Sequence, residues 1–105
     1  MIVTYLITFV VKSGSEEEFL GLLKPVLDAM RHEHSFLNAV LHRDNEAPNR
    51  FMLYESWSDA DDVARVQMHR DYRQPFWTRL PELLAEPRQV QSWVPMRSDF
   101  SGAMR

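Results

Sequence analysis

The sequence predicts an α+β domain built in the order β-α-β-β-α-β, and three observations carry that prediction. Apolar residues alternate through residues 2–11, with Val3, Tyr5, Ile7, Phe9 and Val11 on one side and Ile2, Leu6 and Val10 among those on the other. A run with helical periodicity follows, in which Phe19, Leu22, Leu23, Val26, Leu27 and Met30 form one face. Two further strand-like segments, residues 36–44 and 50–57, flank the polar stretch Asn45-Glu46-Ala47-Pro48-Asn49, which has the length and composition of a hairpin turn.

Each element has a local reason. Ser13-Gly14-Ser15 ends the first strand, and Ser15 with Glu18 three positions on has the pattern of a capping box. Pro25 within the first helix removes a hydrogen bond and crowds the carbonyl of Gly21, so a kink is expected there. Ser58-Asp59 offers an N-cap for a short acidic helix over residues 60–68. Pro75 opens another containing Phe76, Trp77, Leu80, Leu83 and Leu84, with Pro81 in its middle. Residues 88–94 return to a strand pattern. Residues 1–96 thus form one domain and residues 97–105 a polar tail. The order is that of a ferredoxin-like fold, a four-stranded antiparallel sheet with its helices on one face. A first strand apolar on both sides leaves the other sheet face uncovered, and pairing two sheets in a symmetric homodimer covers it.

Composition narrows the function classes. At 105 residues, 45% hydrophobic and 26% charged, the chain has the make-up of one globular domain. A net charge of −3 with the signs interspersed argues against nucleic acid and anionic membrane as partners. No apolar run reaches the ~18 residues that span a bilayer, and the N-terminal strand lacks the basic start and small-residue cleavage site of a signal peptide, so the cytoplasm is expected. With no cysteine, thiolate metal sites, iron–sulfur clusters and cysteine nucleophiles are absent. His32-Glu33-His34 does not have the spacing that puts two imidazoles on one helix face, and reads as a solvated helix end, so no metal site is expected. Three glycines cannot build a dinucleotide fingerprint or a phosphate-cradling loop, which favours chemistry without a cofactor.

The segment Phe51-Met52-Leu53-Tyr54-Glu55-Ser56-Trp57, followed by His69, Pro75-Phe76 and Leu83-Leu84, resembles the antibiotic-biosynthesis-monooxygenase family. Lys12-Ser13-Gly14 before Glu16-Glu17-Glu18-Phe19, and Pro25 followed by Arg31 and Glu33, extend the resemblance over residues 2–95. It implies a dimeric α+β barrel with a cavity between each sheet and its helices. Members of that family include cofactor-independent oxygenases of phenols and quinols, haem-degrading enzymes, and isomerases of small signalling molecules, and fold kinship does not choose among them. The chain departs from the haem degraders in having no Asn in residues 2–11 and a different spacing from Trp57 to His69. Glu33-His34-Ser35 stands where a Glu-Pro-Gly is usual.

Leu53, Glu55 and Trp57 share one strand face, either pocket or core. Glu55 needs a partner there or its pKa rises, and it reads as ion-paired to an arginine in preference to acting as a base. If helical geometry continues past residue 68, His69, Tyr72, Arg73 and Phe76 fall together. His69 would then deprotonate or orient a phenolic substrate, with Tyr72 and Arg73 as polar anchors and Trp57 and Phe76 as walls. The competing reading has His69 capping a helix end above Tyr72. Asn38 on the second strand is a possible amide anchor. The function expected is a cofactor-independent monooxygenase using molecular oxygen on a small aromatic quinol or phenol. Haem binding with ring opening, and a non-catalytic dimeric module holding a small apolar ligand, are the alternatives.

Overall fold

The computed structural model describes residues 1–102. Four strands, β1 (Val3–Val10), β2 (Phe36–Arg43), β3 (Arg50–Trp57) and β4 (Gln89–Trp93), form one antiparallel sheet in the order β2-β3-β1-β4. Helices α1 (Glu16–Met30), α2 (Ala60–Arg65) and α3 (Gln74–Leu83) pack on one face of it, which is the ferredoxin-like arrangement.

Register explains which side chains meet. On the inner face β1 pairs with β3 as Val3 with Trp57, Tyr5 with Glu55, Ile7 with Leu53 and Phe9 with Phe51. One end of this face is aromatic: Phe19 of α1 lies 5.1 Å from both Phe9 and Phe51 and 6.0 Å from Phe76 of α3, between ring centroids. At the other end Trp57 is fully buried and meets Phe36 edge-on at 5.2 Å. Between the two clusters the sheet presents Tyr5, Ile7, Leu53 and Glu55, and no aromatic pair fills the space above them.

The helix ends differ in detail from the sequence patterns. Ser15 makes no side-chain cap bond; the Gly14 N–H donates instead to Glu16 Oε1 at 2.5 Å, in a turn where Gly14 takes φ 93°. The capping box therefore does not form, because the carboxylate one residue into the helix reaches the turn first. α1 runs through Pro25 without interruption: Pro25 and Gly21 are both exposed, so the carbonyl that loses its donor can be hydrated. Asp59 caps α2 as expected, accepting from the N–H groups of Asp61 and Asp62. That helix is shorter than its acidic pattern suggests. After Arg65 the chain makes a 3₁₀ turn at Gln67–His69, passes through an extended Arg70 (φ −61°, ψ 138°), and makes a second at Asp71–Arg73 before α3 begins. Leu84 leaves α3 to bridge Val11, with Lys12 N–H donating to Leu83 O and Ala85 N–H to Val10 O, both at 2.8 Å. The end of α3 is thereby tied to the end of β1.

A polar network fixes the irregular segment. Gln67, buried, donates to Glu33 Oε2 at 2.6 Å and to Asp62 Oδ2 at 3.1 Å; Ser35 Oγ donates to the same Asp62 oxygen at 2.5 Å, and Arg70 donates to Glu33 at 3.1 Å. The loop leaving α1 and the stretch after α2 are so held as one unit. By contrast the Arg79 bridges to Glu18 and Glu82 are exposed and add little.

The outer sheet face carries Leu6, Val10, Val40, Met52, Tyr54 and Trp93, with a Thr4–Ser56 hydroxyl pair at 2.7 Å. Val40 and Trp93 are 46% and 55% exposed, so this face remains uncovered in the single chain. Among the described residues no helix is long and apolar enough to cross a membrane.

Candidate functional site

A cavity of about 270 Å³ lies between the middle of the sheet and the helices. Its floor is Tyr5, Ile7, Leu53 and Glu55; α1 contributes Leu23, Val26 and Met30 to its roof, and Phe76 and Trp77 of α3 close one side. The lining is mainly apolar, as small-molecule sites are, with few polar groups to orient a ligand.

Two of those groups are buried and charged. Glu55 and Arg73 are each only 5% exposed, and both line the cavity. Glu55 Oε1 accepts a hydrogen bond from the Trp57 indole N–H at 3.1 Å. Burial pushes the Glu55 carboxyl above its usual range, while the Trp57 bond and the positive charge of Arg73 pull it part of the way back. Among the described residues no ion pair joins Glu55 to Arg73, and Arg73 Nε and Nη2 have no hydrogen-bond partner in the chain. A buried guanidinium left this way is costly and calls for an acceptor from outside the chain. Tyr5 faces Glu55 across the β1–β3 pair; burial first, then the Glu55 charge, raise its phenol pKa, which keeps it an O–H donor.

Of the residues singled out from the sequence, the cavity gathers Glu55, Arg73 and Phe76. It does not gather the others. His69 is exposed on a surface groove beside Arg65, Arg70 and Asp71, because the extended Arg70 breaks the helical path that would have joined it to Arg73 and Phe76. Tyr72 follows that break in the same turn as Arg73, whose guanidinium carbon lies 5.8 Å from its ring centroid, but it lines the surface groove and not the cavity. The Tyr72 hydroxyl reaches back to Gln67 Oε1 at 3.4 Å. Trp57 is core, not wall; its contribution to the site is the N–H on Glu55. Asn38 sits on the outer face, paired with Ser56 after an irregularity in β2, with its buried Oδ1 unpartnered. Among the described residues Glu55 has no ion pair, although one was expected for it. Tyr5 and Trp77 were not singled out, since a strand apolar on both sides does not say which side faces a cavity.

A sequence model of the antibiotic biosynthesis monooxygenase family matches residues 2–76. The chain belongs to that family. It is 34% identical over 80 residues to the Pestalotiopsis microspora protein named "Putative monooxygenase", covering 75% of this chain and 67% of that one. Its fold superposes on Rv0793 of Mycobacterium tuberculosis with TM-score 0.85 at 15% identity, over 93% of this chain and 98% of the other. SnoaB, a cofactor-independent oxygenase of Streptomyces nogalater, aligns with TM-score 0.78 at 20% identity, over 92% and 95% of the two chains.

For haem, the residues on this cavity fit poorly. Its lining holds no histidine, and the imidazole nearest in sequence, His69, is on the outside. Among the described residues no group of three or more His, Asp or Glu side chains is placed to hold a metal ion.

Proposed function

We propose that this chain is a cofactor-independent monooxygenase that oxidises a small hydroxyaryl substrate, a quinol or phenol, in the cavity above Tyr5 and Glu55. The observation that carries the reading is one buried carboxylate and one buried guanidinium with free donors, set without an ion pair in a mainly apolar cavity. Family membership and the likeness to a cofactor-independent oxygenase support it.

In this reading the phenol O–H bond breaks and its proton passes to a Glu55 oxygen, whose raised pKa matches it better to a phenol than an ordinary carboxylate would. Arg73 holds the phenolate, and Tyr5 can donate to the same oxygen. The phenolate reduces oxygen: one oxygen atom bonds to the ring carbon, the other leaves as water, and the ring supplies all four electrons as it becomes a quinone. No outside reductant is needed. The cavity, at about 270 Å³, lies just under the volumes usual for drug-sized ligands, which favours one- and two-ring substrates.

Oxygen uptake by the metal-stripped protein with a panel of one- and two-ring quinols and phenols tests this. Uptake is expected, and none across the panel contradicts the reading. His69→Ala should leave kcat/KM within about twofold, far from the ~10²–10⁴-fold loss that removal of a general base brings.

The homodimer is part of the proposal. The uncovered outer face, with Leu6, Val40, Tyr54 and Trp93, is the surface two copies would share. Light scattering at micromolar concentration should give twice the 12.4 kDa chain mass; the mass of one chain would remove the dimer.

A further inference from the structure

We infer that the cavity selects substrates bearing a carboxylate at the end away from the oxidised ring, and that Arg88 is the residue that reads it. The inference rests on the reading above for which end of the ligand lies at Glu55, and goes on to name the substrate class.

The charges of the cavity point this way. Its charged lining residues are Arg73, Arg88 and Glu55, two cations against one anion, in a chain whose net charge is −3. A site biased against the sign of its own protein favours an anionic ligand. Depth then separates the two arginines. Arg73 is buried beside Glu55, whereas Arg88 and its neighbour Val90, 52% exposed, line the cavity where it opens.

Arg88 is also held as a reader would be. Its guanidinium carbon lies 4.7 Å from the centroid of Trp77, and Trp77 itself packs against Phe76 at 5.5 Å on the cavity wall. The cation rests over the indole, and among the described residues none of its N–H groups donates to a side chain, so its planar fork is available to grip a carboxylate with two parallel bonds. Arg50, Arg70, Arg79 and Arg97 each reach a carboxylate of the chain. Among the described residues Arg88 reaches none, although Glu86 lies two positions away on the adjoining groove; Arg31, Arg43, Arg65 and Arg73 reach none either, but of these five only Arg73 and Arg88 line the cavity. The ligand that satisfies both ends is a hydroxyaryl carboxylate, its phenol at Glu55 and Arg73 and its carboxylate at Arg88.

Calorimetric titration of the full chain with 6-hydroxy-2-naphthoate, with the corresponding amide and with 2-naphthol tests the inference. The carboxylate should bind about tenfold or more tighter than the amide, the effect of one charge-assisted bidentate pair at a partly exposed site. Arg88→Gln should erase that preference, bringing the carboxylate-to-amide affinity ratio to about one; Arg88→Lys, which keeps the charge and loses the planar fork, should retain part of it. Arg88 is exposed, so these variants do not disturb the core. Equal affinity for carboxylate and amide, a preference that survives Arg88→Gln, or no saturable binding of the carboxylate would each overturn the inference. Oxygen uptake separates its fate from that of the monooxygenase reading. A carboxylate preference without uptake keeps the carboxylate site and removes the oxygenase; uptake with naphthol and naphthoate bound equally does the reverse.

Discussion

Replacing Glu55 by glutamine is expected to lower kcat by about 10²–10⁴-fold, the usual loss when a positioned general base is removed. The amide fills the same space and can still accept from Trp57, so the loss would belong to proton transfer and not to packing. Activity in the wild type should rise with pH through the raised pKa of Glu55, because the carboxylate form is the base. Stability moves the other way. A carboxyl whose folded pKa is raised binds protons more readily in the folded state than in the unfolded one, so its contribution is full below the unfolded value and is lost as pH rises through the folded one. Glu55→Gln should remove that decline while removing turnover, and denaturation at several pH values beside a pH–rate profile reads both. A Glu55→Gln enzyme with wild-type kcat would show that the carboxylate is only structural.

Trp57→Ala should cost about 3–5 kcal/mol, the range for removing a fully buried large aromatic side chain. The indole is the centre of one end of the core, paired with Val3 and edge-on to Phe36, so its removal leaves a cavity as well as lost burial. Against a domain stability of roughly 5–15 kcal/mol this is a large fraction. Urea titration should show a lower midpoint at unchanged slope. Trp57→Phe separates packing from chemistry: it keeps most of the burial and removes the N–H from Glu55 Oε1. Since that bond lowers the Glu55 pKa, its loss should move the acid limb of the pH–rate profile upward. A profile that stays in place would detach Trp57 from the site.

How far the sequence discloses this molecule depends on whether a feature is local. The order of elements is local: strand alternation, helical spacing, and the Pro75 and Asp59 starts each act over a few residues, and β3 occupies residues 50–57 as the pattern predicts. The family resemblance rests on the same contiguous segments and is confirmed over residues 2–76. The site is not local. Tyr5 and Glu55 meet only through the β1–β3 register, fifty residues apart, and the apolar alternation of β1 suits either face. His69 appeared beside Arg73 only on the assumption of an unbroken helix, and the extended backbone of one residue, Arg70, puts the imidazole outside. The sequence did require that Glu55 find a partner on its apolar face. Its partner is the Trp57 indole, with Arg73 close enough to act through its charge but not to pair.

If oxygen itself supplies an atom to a hydroxyaryl substrate without an added reductant or cofactor, incubating the metal-stripped protein under ¹⁸O₂ with a substrate that supports uptake, and weighing the product, will show it. The expected product is a quinone carrying one labelled oxygen atom, with the second label in water. A product without label, or one whose formation needs an added flavin, haem or metal, would contradict it.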